Sequence, residues 1–503
     1  MRFRHVKSLA RHTAVYGVGD LLGKATGILL VPVYARLLSP SENGDMALAY
    51  AFVSFSVLLY ALGLNHALVR HLSVERSAGD IRLKFSTAYW TLLASGIVLT
   101  FLVWNSAARL AIVLLDSTSY ADIFQIVSVI LLLDTLSEPF FTLCRVRQRS
   151  GTYASVRFVQ HTLQLGLTVY LIAWEGNGVR AIFWSNLVSS AFAFLALCPI
   201  GFRVLRPVYS TSTLRELLRF GLPFVPSAAA LLLINLSDRL LLKFFLGKDP
   251  VGILQILFRF CLPMQMLTRV FRSAWAPGVL AIPDRAEART VVARMTTYYA
   301  AGATLLLLVL STFARDLILL GCGSRAAEYL PAQGVIPIVT LAFLLSGLYI
   351  ILTAGVYAEG RSRMLPLVVG VGAGVNVGFN LLLIPHMGVL GAAWSTLAAY
   401  GVMVVFLYLH TRRFYPVAYE YARLAKVGVA GGIVLIGVSG FAPDASPSGI
   451  VTRCILLLAY PFILWGWNFL ESGEWQEIRQ LFRLPKQAGE KAGESSGGRT
   501  DVP

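Results

Sequence analysis

Apolar runs of roughly twenty residues, separated by short polar clusters, recur along the whole 503-residue chain. About twenty apolar residues cross the hydrocarbon core of a bilayer as an α-helix. The strands of a membrane barrel would instead read as alternating segments of about ten. The runs therefore predict an all-α polytopic membrane protein with fourteen transmembrane helices. Their positions are 12–36, 46–69, 86–108, 120–143, 153–174, 180–202, 218–243, 250–273, 297–320, 333–357, 364–385, 388–410, 424–441 and 448–470. The basic start MRFRHVKSLARHTAVYG leads into a full-length span with no small-residue cleavage site, so it reads as a first membrane helix and not as a removed signal peptide.

The basic residues orient these spans. Lys and Arg collect in cytoplasmic loops, and here every second loop is rich in them. Arg2, Arg4, Lys7 and Arg11 precede the first span. Further clusters are Arg70, Arg76, Arg82 and Lys84; Arg145, Arg147, Arg149 and Arg157; Arg203, Arg206, Arg215 and Arg219; and Arg272, Arg285, Arg289 and Arg294. Arg361 with Arg363, then Arg412, Arg413, Arg423 and Lys426, and finally the basic tail complete the series. The intervening loops hold only Arg36, Arg109, Arg180, Lys248, Arg315, Arg325 and Arg453. One missed span midway would destroy this alternation. Both termini are therefore expected in the cytoplasm.

Composition agrees with this picture and removes one function class. Apolar residues make up 56% of the chain and charged ones only 14%, against roughly a quarter charged in an ordinary soluble domain. The net charge of +17 is mostly the topology signal just described, so no nucleic-acid partner follows from it. The five cysteines, Cys144, Cys198, Cys261, Cys322 and Cys454, lie in or beside apolar segments at irregular spacing. They show neither a disulfide framework nor a metal pattern. No phosphate-binding P-loop is present, and the outer loops are too short to carry a catalytic domain. The chain does not read as an enzyme, and no cofactor is implied.

The segment FGLPFVPSAAALLLINLSDRLLLKFFLGKDPVG at 220–252 echoes YGVGDLLGKATGILLVPVYARLLSPSENG at 16–44. Each starts with an aromatic residue and Gly, runs through a long apolar helix to Arg36 or Arg239, and turns at a Gly that opens the next helix. Both copies begin inside, six spans apart, so the repeat is parallel, as in transporters built from two lobes around a central site. The predicted organisation is an N-lobe at 1–207, a C-lobe at 208–415, two further helices at 416–472 and a cytoplasmic tail at 473–503, disordered from about 484.

Charges inside the spans point to the chemistry. A charge in hydrocarbon costs several kcal/mol, so it normally faces a partner or a watery cavity. Asp20 and Lys24 lie one turn apart in the first span, either as a self-satisfied pair or as part of a cavity wall. Asp134 and Glu138 repeat that spacing just before Pro139. Asp238, Arg239 and Lys243 lie in the seventh span, Arg259 and Arg269 in the eighth, and Gln160, His161 and Gln164 in the fifth, while Asn65 and His66 stand near the inner end of the second. Arg259 has no adjacent acid and lies deep in its span. Lys24, Arg259, Arg239 and Arg269 thus suggest a cationic cavity suited to an anion, and to phosphate in particular through the planar fork of arginine. Asp20, Asp134, Glu138 and Asp238 would set local charge or carry a coupling H+ or Na+. Asn65, His66, Gln160 and His161 are candidate polar lining, and no metal-ligand spacing appears.

The N-terminal stretch carries a resemblance. Pro32, Tyr34, Arg36, Leu37, Leu38, Pro40, Glu42 and Gly44, followed by Leu62, Gly63, Leu64, Ala67 and Arg70, resemble the start of bacterial polysaccharide transporters, the Wzx-type O-antigen and exopolysaccharide flippases. The stretch NLSDRLLLKFFLG resembles the second-lobe signature of the same family. The likeness is specific over residues 16–72 and 218–250. It implies the MATE-like fold of the multidrug/oligosaccharidyl-lipid/polysaccharide (MOP) superfamily. It also implies translocation of undecaprenyl-pyrophosphate-linked oligosaccharide units from the inner to the outer leaflet of the bacterial cytoplasmic (inner) membrane, with the bilayer and polysaccharide polymerase or assembly proteins as partners. Lipid II flippases and cation-coupled exporters of small amphiphiles are the neighbouring alternatives. A non-transporting scaffold for a polysaccharide assembly complex is the alternative outside transport.

Overall fold

The computed structural model describes residues 29–470 and Glu474, apart from Arg76, Asn177, Ala281, Pro283 and residues 362–363 and 442–446. Among the described residues the regular structure is helical throughout. In chain order the helices are α1 (Val31–Leu37), α2 (Pro40–Ala61), α3 (Leu64–Val74), α4 (Ala78–Leu115), α5 (Ala121–Val146), α6 (Ser150–Ala173) and α7 (Gly178–Gly201). Then come α8 (Thr211–Gly221), α9 (Phe224–Leu246), α10 (Lys248–Phe260), α11 (Leu262–Leu280), α12 (Arg285–Thr312) and α13 (Ala314–Cys322). After the single turn α14 (Ala326–Tyr329) follow α15 (Val335–Ala358), α16 (Met364–Met387), α17 (Val389–Thr411), α18 (Tyr421–Phe441) and α19 (Pro447–Gly466). The described residues up to Tyr419 form one compact unit and those from Glu420 another. In the second unit Arg423 reaches Glu420 at 3.0 Å and Glu474 at 3.0 Å, and Lys426 donates to the carbonyl of Trp467.

Ten of the described helices are long and apolar enough to cross a membrane, or eleven if α10 and the first part of α11 count as one bent span. The fourteen predicted spans are thus not all reproduced by that standard. The first lies mostly outside the described residues. Helices α6 and α9 have the length, but they carry Arg157, Gln160, His161 and Gln164 in one case and Asp238, Arg239 and Lys243 in the other. Four of these polar residues, Arg157, His161, Gln164 and Arg239, line the cavities described below.

Three predicted continuous spans are broken, two of them at residues whose backbone chemistry explains it. The segment 46–69 divides into α2 and α3 at Leu62 and Gly63, which both take left-handed backbone angles, φ +49° and +69°. Gly63 also lies against Gly221, where a Cβ would stand 2.2 Å from that residue's carbonyl oxygen, so only glycine fits. The segment 250–273 divides at Cys261 with a 50° bend. Pro263 accounts for this: its ring would clash with the carbonyl of Arg259, four residues back, and it has no N–H to donate. The segment 297–320 divides at Phe313 between α12 and α13. Pro139, by contrast, sits inside an uninterrupted α5.

Candidate functional site

A cavity of about 420 Å³ lies between helices from the two halves of the chain. Its lining includes Tyr34 of α1, Tyr50 of α2, His161 and Gln164 of α6, Arg239 of α9, and Gln255 and Arg259 of α10. The bend after Phe260 sets Arg259 beside the break, and Gln265 of α11 completes the wall from the other half of the broken span.

The two arginines are held differently. Arg239 is engaged: Nε and Nη2 donate to Gln255 Oε1 at 3.0 and 2.9 Å, and Nη1 lies 3.2 Å from Asp238 Oδ1. Arg259 has no carboxylate within ion-pair distance among the described residues. Its guanidinium lies 4.5 Å from the centre of the Tyr34 ring, and Nη2 points at Met46 Sδ at 3.7 Å. An aromatic face and a thioether hold the group in place without neutralising it. Its charge, and the donors that Tyr34 and Met46 do not take, remain available to an anion entering the cavity.

A second cavity, of about 450 Å³, lies within the first half of the chain. Asn65, His66, Asp134 and Glu138, singled out separately in the sequence, all line it, together with Arg145 and Arg157. Glu138 is clamped by Arg145 and, at 3.1 Å, by Arg157, whose guanidinium stacks 3.8 Å from the Phe141 ring. Glu138 therefore neutralises Arg145 and Arg157 and not the arginines of the central cavity. Asp134 is exposed on the cavity wall although it lies mid-helix in α5. Gln160 turns the same way, accepting from Arg157 at 3.2 Å, while its neighbour His161 faces the central cavity. Arg269 is exposed and reaches the central cavity only through Gln265, 3.1 Å away. Asp238 is fully buried and serves Arg239. Asp20 and Lys24 lie outside the described residues.

Tyr50, Gln255 and Gln265 were not singled out from the sequence. Gln255 stood one helical turn before Arg259, which places it on the same face. That spacing was the available signal. Uncharged residues in an apolar run otherwise carry little.

The end of the bundle that the basic-residue pattern assigns to the outside is closed between the two halves. A Cβ on Gly252 would fall 1.8 Å from the Pro40 carbonyl oxygen, and one on Gly44 2.3 Å from the Lys248 carbonyl oxygen, so α2 and α10 meet backbone to backbone. Pro40 is fixed by its setting: Ser39 and Glu42 form a capping box, with Glu42 N donating to Ser39 Oγ at 3.2 Å and Ser39 N donating to Glu42 Oε2 at 2.8 Å. Arg36 donates from Nε to the Gly321 carbonyl at 3.2 Å and from Nη2 to that of Leu320, so it caps the C-terminus of α13. Lys243 meets Asp116 at 3.0 Å, and Lys248 meets Asp45 at 2.9 Å and the Leu115 carbonyl at 3.0 Å.

These pairs differ in weight. Asp116 is more than half exposed, and pairs of that kind contribute about 1 kcal/mol or less. Asp45 is almost completely buried, so removing its partner leaves an uncompensated charge. Lys248→Ala is expected to destabilise the protein by about 3 kcal/mol, the scale for breaking a buried pair. Asp45→Asn, which removes the charge as well, is expected to cost less. Thermal unfolding of both variants in detergent checks the order.

Comparison with known proteins agrees with this architecture. The model of the polysaccharide biosynthesis protein family matches residues 33–331. The chain is 25% identical over 238 residues to the succinoglycan biosynthesis transport protein ExoT of Rhizobium meliloti (strain 1021), a match covering 47% of each chain. The match thus spans about half the length of that curated relative. Among solved structures, the fold resembles the lipid II flippase MurJ in its inward closed conformation, with a TM-score of 0.75 at 12% identity over 90% of this chain and 99% of that one. It also resembles an inward-facing multidrug resistance MATE family transporter of the MOP superfamily, with a TM-score of 0.61 at 15% identity over 82% of this chain and 96% of that one. On its sequence match and its helical fold, this multi-pass membrane chain belongs to the polysaccharide biosynthesis protein family.

Proposed function

We propose that this protein is a flippase that carries prenyl-pyrophosphate-linked oligosaccharide repeat units across the cytoplasmic membrane, from the inner to the outer leaflet, for surface polysaccharide assembly. The observation that carries this reading is Arg259, a mid-membrane cation supported by Tyr34 and without a described carboxylate partner, in a cavity shared by both halves of the chain. A pyrophosphate fits such a group, and the amides of Gln164, Gln255 and Gln265 suit sugar hydroxyls. An exporter of organic cations would meet repulsion in this cavity.

The chain works by alternating access between an N-lobe at 1–207 and a C-lobe at 208–415, with the prenyl tail remaining in lipid. Closure of the outer end through Gly44, Gly252, Arg36 and Lys248 corresponds to the state that receives substrate from inside. Asp134, exposed on the second cavity and not clamped as Glu138 is, is the carboxylate best placed to take up a coupling H+ or Na+. Deletion of the gene is expected to trap complete lipid-linked repeat units on the inner leaflet, and plasmid-borne wild type is expected to release them. Normal surface polysaccharide in the deletant, with no trapped units, would overturn the proposal.

A further inference from the structure

Helix α8 joins the last span of the first half to the first span of the second, and its faces are used unequally. At 11 residues it is about 16 Å long, too short to cross a bilayer. One face is buried through Thr213, Leu217 and Gly221, and Gly221 meets Gly63 backbone to backbone. A second face carries the only acid of the helix, Glu216, which His71 Nδ1 approaches at 3.2 Å and Lys84 Nζ at 3.8 Å. The remaining face has no such use. There Thr211, Leu214, Arg215, Leu218, Arg219, Leu222 and Pro223 line an apolar groove of about 520 Å³.

The spacing of these residues makes a two-part surface. Leu214, Leu218 and Leu222 follow one another at four-residue steps, and Arg215 and Arg219 form the adjoining row. Both arginines are exposed, and so are Arg203 and Arg206 in the segment that leads into the helix. Leu222 remains 52% exposed. Leucines beside arginines on a short surface helix suit the boundary between headgroups and acyl chains. With its acid turned toward His71 and Lys84, the open face is wholly cationic.

From this geometry we infer that the α8 groove is a binding site for an acidic phospholipid of the adjacent leaflet. The acyl chain lies along Leu214, Leu218 and Leu222, and the phosphate meets Arg215 and Arg219. The site is separate from the central cavity and does not depend on the transport reading. Because α8 is the joint between the two halves, an occupied groove fixes the position from which α9 starts.

The test uses the full chain purified in detergent, with lipid binding followed by native mass spectrometry. Dioleoylphosphatidylglycerol is expected to bind at least tenfold more tightly than dioleoylphosphatidylcholine. Arg215→Gln with Arg219→Gln is expected to lower that affinity about tenfold or more, since each basic group near an anionic lipid surface contributes about fivefold. Arg82→Gln with Arg147→Gln removes the same charge elsewhere and is expected to leave the affinity unchanged. A fluorophore on Thr211→Cys, with both arginines intact, is expected to shift to the blue with phosphatidylglycerol only. Equal losses in the two double variants, no loss in either, or an unshifted fluorophore would overturn the inference. So would displacement of phosphatidylglycerol by farnesyl diphosphate at lower concentration than phosphatidylglycerol itself requires, which would assign the groove to a prenyl phosphate.

Discussion

Replacing Arg259 with alanine is expected to weaken binding of a prenyl-pyrophosphate saccharide by about tenfold to a hundredfold, the scale of a charged hydrogen bond of about 1.5–3 kcal/mol. Its effect on stability should have the opposite character. A guanidinium without a carboxylate partner inside a membrane protein is a cost to the fold, and what supports this one is a ring at 4.5 Å and a sulfur at 3.7 Å. The alanine variant should therefore unfold no earlier than wild type. Arg259→Lys keeps the charge but loses the planar fork, so it should fall between the two in affinity. Titration of a short-chain prenyl-pyrophosphate saccharide, followed by intrinsic fluorescence, measures all three. Unchanged affinity with a lowered melting midpoint would make Arg259 a structural residue.

Gly252→Ala is expected to open the outer end. The added Cβ would stand 1.8 Å from the Pro40 carbonyl oxygen and close to the backbone of Gly44. Pro40 cannot withdraw easily, because the Ser39–Glu42 capping box fixes that turn. Overpacking of this kind costs about 1–3 kcal/mol, which shifts a two-state balance roughly fivefold to more than a hundredfold away from the closed form. Leu48 lies one turn from Gly44 on α2 and is fully buried. In a background without the native cysteines, Leu48→Cys should react several times faster with a membrane-impermeant maleimide once Gly252→Ala is added. Equal labelling rates with and without Gly252→Ala would mean that this close approach does not hold the outer end shut.

The sequence carried much of this, and the exceptions have physical causes. Charge inside an apolar run is a strong signal, so Asp134, Glu138, Arg239 and Arg259 are all legible in the sequence. Which of them meet was not visible. Glu138 lies 3.1 Å from Arg157, a residue that the charge pattern groups with a cytoplasmic cluster. The break at Cys261 was hidden because Pro263 sits in a run whose hydropathy alone reads as one span. The outer closure was the least legible part. Arg36 finds its acceptor 285 residues away in the carbonyl of Gly321, and a backbone carbonyl has no identity in a sequence. The motif that carries the family resemblance does gain reasons: Tyr34 lies under Arg259, Arg36 caps α13, Glu42 closes the capping box and Gly44 admits α10.

The proposed movement of a lipid-linked pyrophosphate between leaflets runs through the Arg259 cavity. It is tested most directly with the full chain in sealed vesicles that carry a fluorescent prenyl-pyrophosphate oligosaccharide. Reduction of the label by dithionite from one side reports transbilayer movement. Movement well above that in protein-free vesicles is expected, with a loss of about tenfold or more for Arg259→Ala, in line with the affinity change above. Wild-type protein no faster than empty vesicles, or Arg259→Ala as fast as wild type, would contradict it.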